Sequence, residues 1–310
     1  MARFLLLLNR RSGGNDRGTD PRNLCRKVEE IFQAEGHEIE SRLIEPRFLE
    51  PAIRQALADR PDAVIAAGGD GTVSAAARQL GGSDIALGIL PLGTFNLAAR
   101  DLGVPLDLED AARFLAKAEA HRIDVLDVNG HSCLCTTIIG FYPEFARAFE
   151  KRDHGGYWWR KALKLVTRLP ATFARSRAID LSWQGDDASG STRTKFSAFV
   201  PGRYAATTGI VPARTGFRSG QLTAYIGRQK SAATAVRAML DYIFGRQEEN
   251  PELTLVESPR LELRGGRRKQ CPVMIDGEIT RLPFPLQLEI RPGHLKVLTT
   301  AETLAGADPS

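Results

Sequence analysis

Short apolar runs, each followed by a segment of helical period, fill the first 125 residues. Phe4–Leu8 is continuously apolar, as in a strand buried on both faces. Asn9, Arg10, Arg11, Ser12, Gly13 and Gly14 follow it as a loop. Leu24, Val28, Ile31 and Phe32 fall at helical spacing across 22–35, and Gly36 stops that helix. The pattern predicts a second strand at 37–44 and a helix at 48–59, with Leu49, Ile53 and Leu57 in line. A third strand is expected at Ala63–Ala67, a helix at 73–80 and a fourth strand at Ile85–Leu90. Repeated βα units of this kind predict a Rossmann-like parallel sheet with helices on both faces.

After Asp124 the pattern changes. Val125–Val128, Asn129-Gly130 and Ser132–Ile139 read as a hairpin, because Asn-Gly suits a type I′ turn. Short strands are expected at 179–183, 194–200, 222–226, 253–256, 261–264, 273–275, 279–282, 286–290 and 295–298. Helical stretches interrupt them at 157–169 and 231–244. The pattern therefore predicts an α/β first domain over 1–124 and an antiparallel sandwich or barrel over 125–300. Residues 301–310 are expected as a tail.

Composition narrows the function classes. Hydrophobic residues make up 43% of the 310 and charged residues 25%, which suits packed domains and excludes a disordered or collagen-like chain. A net charge of +5 is too small to imply nucleic-acid binding. Cys25, Cys133, Cys135 and Cys271 are too scattered for a disulfide framework. Cys133 and Cys135 alternate in an apolar run and are expected on one face of a strand. The five histidines show no metal-ligand spacing. The opening apolar run is shorter than the roughly 7–15 residues of a signal peptide, and a cytoplasmic location is expected.

Gly68-Gly69-Asp70-Gly71-Thr72 lies between a predicted strand and helix. Glycine lets a ligand approach the main chain without a Cβ in the way, and the helix N-terminus favours phosphate oxygens. The loop is neither a Walker loop nor a dinucleotide fingerprint, and taken alone it reads equally as an ordinary Asp-Gly turn capping a helix. A carboxylate within it requires that Asp70 meet either Mg²⁺ or a hydrogen-bond donor. Asn9–Gly14 and Leu90-Pro-Leu-Gly93-Thr94-Phe-Asn96 are further loops that follow strands. In a parallel sheet such loops gather at the carboxyl edge, where ligands bind.

The motifs Gly-Gly-Asp-Gly-Thr, Leu-Pro-Leu-Gly-Thr-Phe-Asn and Ala-Arg-Asp-Leu-Gly-Val-Pro105 together resemble the diacylglycerol kinase catalytic domain, whose relatives include sphingosine and ceramide kinases. The resemblance implies an α/β nucleotide domain followed by a β-sandwich domain, with the last strands or tail returning towards the first domain, and an ATP- and Mg²⁺-dependent lipid kinase acting on diacylglycerol or a related lipid. It assigns Asn9, Ser12, Gly13, Gly68, Gly69, Gly71, Thr72, Gly93, Thr94 and Asn96 to the nucleotide, and Asp70 to Mg-ATP. The stretch Ile275-Asp276-Gly277-Glu278 matches the family's acidic motif, so Asp276, with Glu278 its competitor, would accept the proton of the lipid hydroxyl. Asp276-Gly277 also reads as a plain hairpin turn.

The chain departs from the family in three places. Asn9 is followed by arginine where proline is common, and Ser74 and Ala75 replace the usual polar and acidic residues. Bacterial relatives bind a structural Mg²⁺ through carboxylates in a segment matching Val211–Thr223. Ser219 and Thr223 stand there instead, and no structural metal is expected at Ser219. Residues 147–177 hold nine basic and two acidic side chains, and within 157–169 Trp159, Leu163, Val166 and Leu169 form a stripe beside Arg160, Lys164 and Arg168. This is the pattern of an interfacial helix, giving peripheral membrane contact, or of a helix packed on the sandwich. Two other readings stay open: an NAD kinase-like enzyme, which shares Gly-Gly-Asp-Gly, and a catalytically weak nucleotide- or lipid-binding regulator. Oligomeric state is open, a homodimer included.

Overall fold

The computed structural model describes residues 1–10, 20–93, 96–141, 178–204, 214–228, 234, 237, 241 and 250–307. Contacts divide the chain into two compact units. The first comprises Met1–Val125, Arg214–Ser219 and Arg291–Ser310; the second comprises Leu126–Ala213 and Gly220–Ile290.

The first unit begins with β1 (Arg3–Asn9), α1 (Pro21–Ala34), β2 (Glu38–Ile44), a 3₁₀ turn (Pro46–Phe48) and α2 (Leu49–Asp59). It continues through β3 (Ala63–Gly68), α3 (Asp70–Leu80), β4 (Ala86–Pro91), α4 (Leu97–Asp101) and α5 (Leu108–Lys117). The strands β2-β1-β3-β4 lie side by side in parallel, Leu6 pairing with Ser41 and with Ile65, and Ala66 with Ile89. Every residue of β3 and β4 is buried, as strands covered on both faces must be. Helix α1 packs with α5, and α2 with α3. Asp20 caps α1 by accepting the Arg22 amide at 3.0 Å, and Asp107 caps α5 through the amides of Glu109 and Asp110.

Next come β5 (Glu119–Val128), β6 (His131–Cys133), β7 (Thr137–Gly140), β8 (Ile179–Gly185), β9 (Ser189–Thr194), β10 (Phe196–Pro201), β11 (Arg203–Tyr204) and β12 (Arg214–Thr215). The remaining elements are β13 (Leu222–Gly227), β14 (Leu253–Ser258), β15 (Arg260–Arg264), β16 (Gln270–Ile275), β17 (Glu278–Pro283), β18 (Leu286–Thr299) and α6 (Ala301–Ala307). In the second unit β18-β15-β8-β9 make one antiparallel layer and β14-β13-β10-β7-β16-β17 the other. Trp183, Leu263 and Leu288 from the first layer meet Phe199, Ala224 and Val273 from the second in a buried core. The α/β and antiparallel β architecture expected from the sequence is thus present.

Four expectations are corrected. The run 132–139 is not one strand: β6 ends at Cys133, Leu134–Thr136 break the ladder, and β7 joins the other layer. Cys133 and Cys135 therefore do not share a strand face, although both are buried. The run 194–200 divides at Lys195, where the Thr194 hydroxyl accepts the Phe196 amide at 3.1 Å and takes over a ladder bond as the chain changes layer. The strands expected at 286–290 and 295–298 are one strand, β18, whose Pro292-Gly293 step is accommodated because the Gly293 amide bonds Asp124 Oδ1 at 2.9 Å instead of a ladder partner. Beyond it β18 pairs in parallel with β4, Val297 against Leu87. Finally, 301–307 form a helix where a tail is expected.

The Asn129-Gly130 hairpin is as expected, both residues having positive φ (50° and 82°). No helix among the described residues is long and apolar enough to cross a membrane. The basic stretch 157–169 lies outside the described residues, as does most of 231–244.

Candidate functional site

The first cluster is built where β1, β3 and β4 end. Apolar burial holds these strands in register, so the residues that follow them emerge together at one sheet edge. Asn9, the last residue of β1, donates its side-chain amide to Thr72 Oγ1 at 3.0 Å. Thr72 is buried in the first turn of α3. A Cβ on Gly68 would lie 2.4 Å from the Thr72 hydroxyl, and one on Gly93 would lie 2.6 Å from Gly69 Cα. Two loops thus meet main chain to main chain at a spacing only glycine permits.

Asp70 joins these loops to α4. Its Oδ2 accepts the Asn96 amide at 3.1 Å and its Oδ1 the Leu97 amide at 2.8 Å. The Asn96 side chain in turn accepts the Gly93 amide at 2.9 Å and donates to the Gly93 carbonyl at 3.0 Å. Of the two partners an acidic residue needs in this loop, the structure supplies a donor. Helix α3 has Gly69 at its N-cap and no side-chain cap. Among the described residues no acceptor meets the amides of Asp70 and Gly71. Amides at a helix N-terminus with a glycine cradle beside them suit phosphate oxygens.

An open depression of about 390 Å³ adjoins β1 and β2, lined by Arg10, Ile44, Phe48, Ala52 and Gln55. The Arg10 amide donates to the Ile44 carbonyl at 2.9 Å, which ties its floor to the residue after Asn9. Phe48 is 52% exposed, with the Arg47 guanidinium 4.7 Å over its ring. Ser12, Gly13 and Thr94 lie outside the described residues.

The second cluster surrounds Asp276 in the β16–β17 hairpin. Ile275 pairs with Glu278 across a two-residue turn in which Asp276 and Gly277 have φ of 46° and 89°. The turn read from the sequence is therefore present, yet Asp276 is only 4% exposed. Its carboxylate accepts the amides of Leu134 at 2.6 Å, Cys135 at 2.8 Å and Thr136 at 3.0 Å, and the Cys133 thiol at 3.4 Å. Burial pushes this carboxyl above the ordinary carboxylate range, while the three amides and the thiol pull it back. Glu278, at the first position of β17, is exposed. The broken strand 134–136, invisible to the apolar pattern, is the part of this cluster that sequence reasoning missed. No Gly or Pro marks it.

In the segment matched to the structural Mg²⁺ loop, Ser219 and Thr223 stand where the resemblance implies carboxylates, and two arginines bond main-chain carbonyls. Arg214 is 4% exposed, donates Nη2 to the Asp124 carbonyl at 3.0 Å and stacks 4.6 Å from the Phe217 ring. Arg218 Nε donates to the Arg122 carbonyl at 2.8 Å.

Residues 3–128 match the family model of the diacylglycerol kinase catalytic domain. A Stenotrophomonas maltophilia relative named "probable lipid kinase YegS-like" is 28% identical over 199 residues, covering 59% of this chain and 62% of its own length. An Escherichia fergusonii relative, "probable lipid kinase YegS", is 33% identical over 196 residues with the same coverage. The chain thus matches somewhat under two thirds of the length of these relatives. A crystal structure of a diacylglycerol kinase from Bacillus anthracis strain Sterne shares the fold, with a TM-score of 0.71, 19% identity, and coverage of 97% of this chain and 98% of that one.

Proposed function

We propose that this chain, whose residues 3–128 match the family model of the diacylglycerol kinase catalytic domain, is a lipid kinase that moves the γ-phosphoryl group of ATP to a hydroxyl of diacylglycerol or a related lipid. The observation that carries this reading is the uncapped N-terminus of α3 set among Gly68, Gly69 and Gly93. The amides of Asp70 and Gly71 suit the phosphates, and the depression beside Phe48 reaches Arg10, the residue after Asn9. Bound ATP supplies the phosphoryl group, and Mg²⁺ offsets its charge. Asn9, Thr72 and Asn96 hold the loops around the nucleotide. Asp70 fixes the start of α4, and the second lone pair on each of its oxygens leaves it capacity towards a Mg²⁺ carried by the triphosphate.

In this reading Asp276 takes the proton of the lipid hydroxyl as that oxygen bonds to phosphorus, with ADP leaving. A base is most effective when its pKa approaches the working pH while it remains ionised, and burial moves Asp276 in that direction. Glu278 is the alternative acceptor in the same turn.

The test is incubation with labelled ATP, Mg²⁺ and either a panel of neutral lipids in detergent micelles or NAD. Label appearing in a lipid, and lost by at least a hundredfold in Asp276→Asn, supports the reading. Label in NAD replaces it with a nucleotide kinase. Binding of ATP without transfer to either acceptor leaves a regulator.

A further inference from the structure

The break between β6 and β7 has a physical cost: Leu134, Cys135 and Thr136 give up ladder hydrogen bonds in the middle of an apolar run. All three are buried, so their amides must find acceptors within the protein. They find one group, the Asp276 carboxylate, at 2.6–3.0 Å. The Asp276 amide answers by donating to the Thr136 carbonyl at 2.9 Å. Successive amides turned on one anion form a nest, an arrangement that favours negative charge. A simple hairpin turn needs none of this, since the Asp-Gly pair satisfies its geometry unaided.

The thiol of Cys133 belongs to the same shell. It is fully buried and sits 3.4 Å from Oδ1, the oxygen that also accepts the amides of Cys135 and Thr136. Sulfur–oxygen contacts are longer than N–H···O bonds, so this distance is that of a weak S–H donor. Resting on the assignment of Asp276 as the base, we propose that Cys133 is a positioning residue for the reaction: its thiol holds Oδ1 against the nest and so sets the rotamer and the charge of the carboxylate. The titratable side chain that contacts Asp276 from the break is the Cys133 thiol, whereas Cys135 reaches it through its amide and Glu278 follows in the same hairpin. Tyr204 of β11 stands behind Cys135, its hydroxyl 3.4 Å from that carbonyl.

Cys133 also belongs to the apolar core, so the competing account is packing alone, and pH separates the two. Removing a donor that favours the carboxylate raises its pKa. With Mg-ATP and dioctanoylglycerol micelles, Cys133→Ala is expected to lift the acid limb of kcat/KM by about 0.5–1 pH unit, leaving the KM for ATP unchanged. Cys133→Ser, which restores a donor, is expected to return the limb towards wild type. Cys135→Ala, which keeps the Cys135 amide, is the packing control and is expected to leave it in place. Carbon-13 NMR titration of the Asp276 carboxyl repeats the comparison without turnover. Should Cys133→Ala not fold, Cys133→Val replaces it.

An acid limb unmoved in Cys133→Ala, or moved equally in Cys135→Ala, or not restored by serine, overturns the proposal. Full activity in Asp276→Asn instead overturns the underlying assignment, whatever Cys133 does.

Discussion

The carboxylate of Asp70 holds the amide of Leu97 at 2.8 Å, joining the first residue of α3 to the first residue of α4. With the Asn96 amide on its other oxygen, this side chain carries the start of a five-residue helix that is too short to persist alone. Hydrogen bonds to charged groups contribute about 1.5–3 kcal/mol, and the partial exposure of Asp70 points to the lower end. Asp70→Ala is expected to lose about 1–2 kcal/mol of stability and most kinase activity. Urea unfolding and ATP titration of the same sample measure both.

Gly93→Ala tests the contact between the two glycine loops. Its Cβ would fall 2.6 Å from Gly69 Cα and 2.8 Å from Asn96 Oδ1, so one loop must move. Overpacking of this kind costs about 1–3 kcal/mol. A KM for ATP raised at least several-fold is expected. In Gly69→Ala the added Cβ reaches only 3.4 Å from Gly93 Cα, and the change is expected to be smaller. Equal effects of the two substitutions would count against this geometry.

The Asn9–Thr72 hydrogen bond predicts coupling. Asn9→Ala and Thr72→Val each remove one partner, and the double variant should lose less than the two losses combined. The expected coupling is about 0.5–1.5 kcal/mol, read from unfolding free energies of all four proteins.

Cys271 predicts an alkaline weakness. Burial pushes its thiol from 9.0 up to about 12, so the folded protein keeps the proton after the unfolded chain has lost it. The thiol's contribution is complete below pH 9 and declines as pH rises through the window up to about 12. The slope from this one group is about 1.4 kcal/mol per pH unit. Cys271→Ala costs packing at neutral pH, yet its stability should fall less steeply between pH 9 and 11. Parallel curves for the two proteins would show that this thiol does not set the limb.

The legible parts of the candidate site were those whose chemistry is local. Gly68–Thr72 and Leu90–Asn96 announce themselves because a strand must stop, a helix must start and the main chain must lie bare between them. Asp276-Gly277 is legible for a similar reason, since an Asp-Gly pair suits a two-residue hairpin. The acceptors and donors these residues use were not legible. Asp276 meets Cys135 across 141 residues of sequence, and the apolar run through Cys133–Ile139 reads as unbroken because nothing in it punctuates the chain.

Alternating strand and helix periods in the first part, and short strands in the second, determined from sequence alone which layers the protein would build, because burial of apolar faces permits few other solutions. Tertiary structure alone decided that Asp70 spends its charge on α4, that β18 runs on through Pro292-Gly293, and that a strand breaks to wrap Asp276. Each of these is a hydrogen-bond debt settled between segments far apart in the chain, and such pairings exist only once the apolar core has brought the segments together.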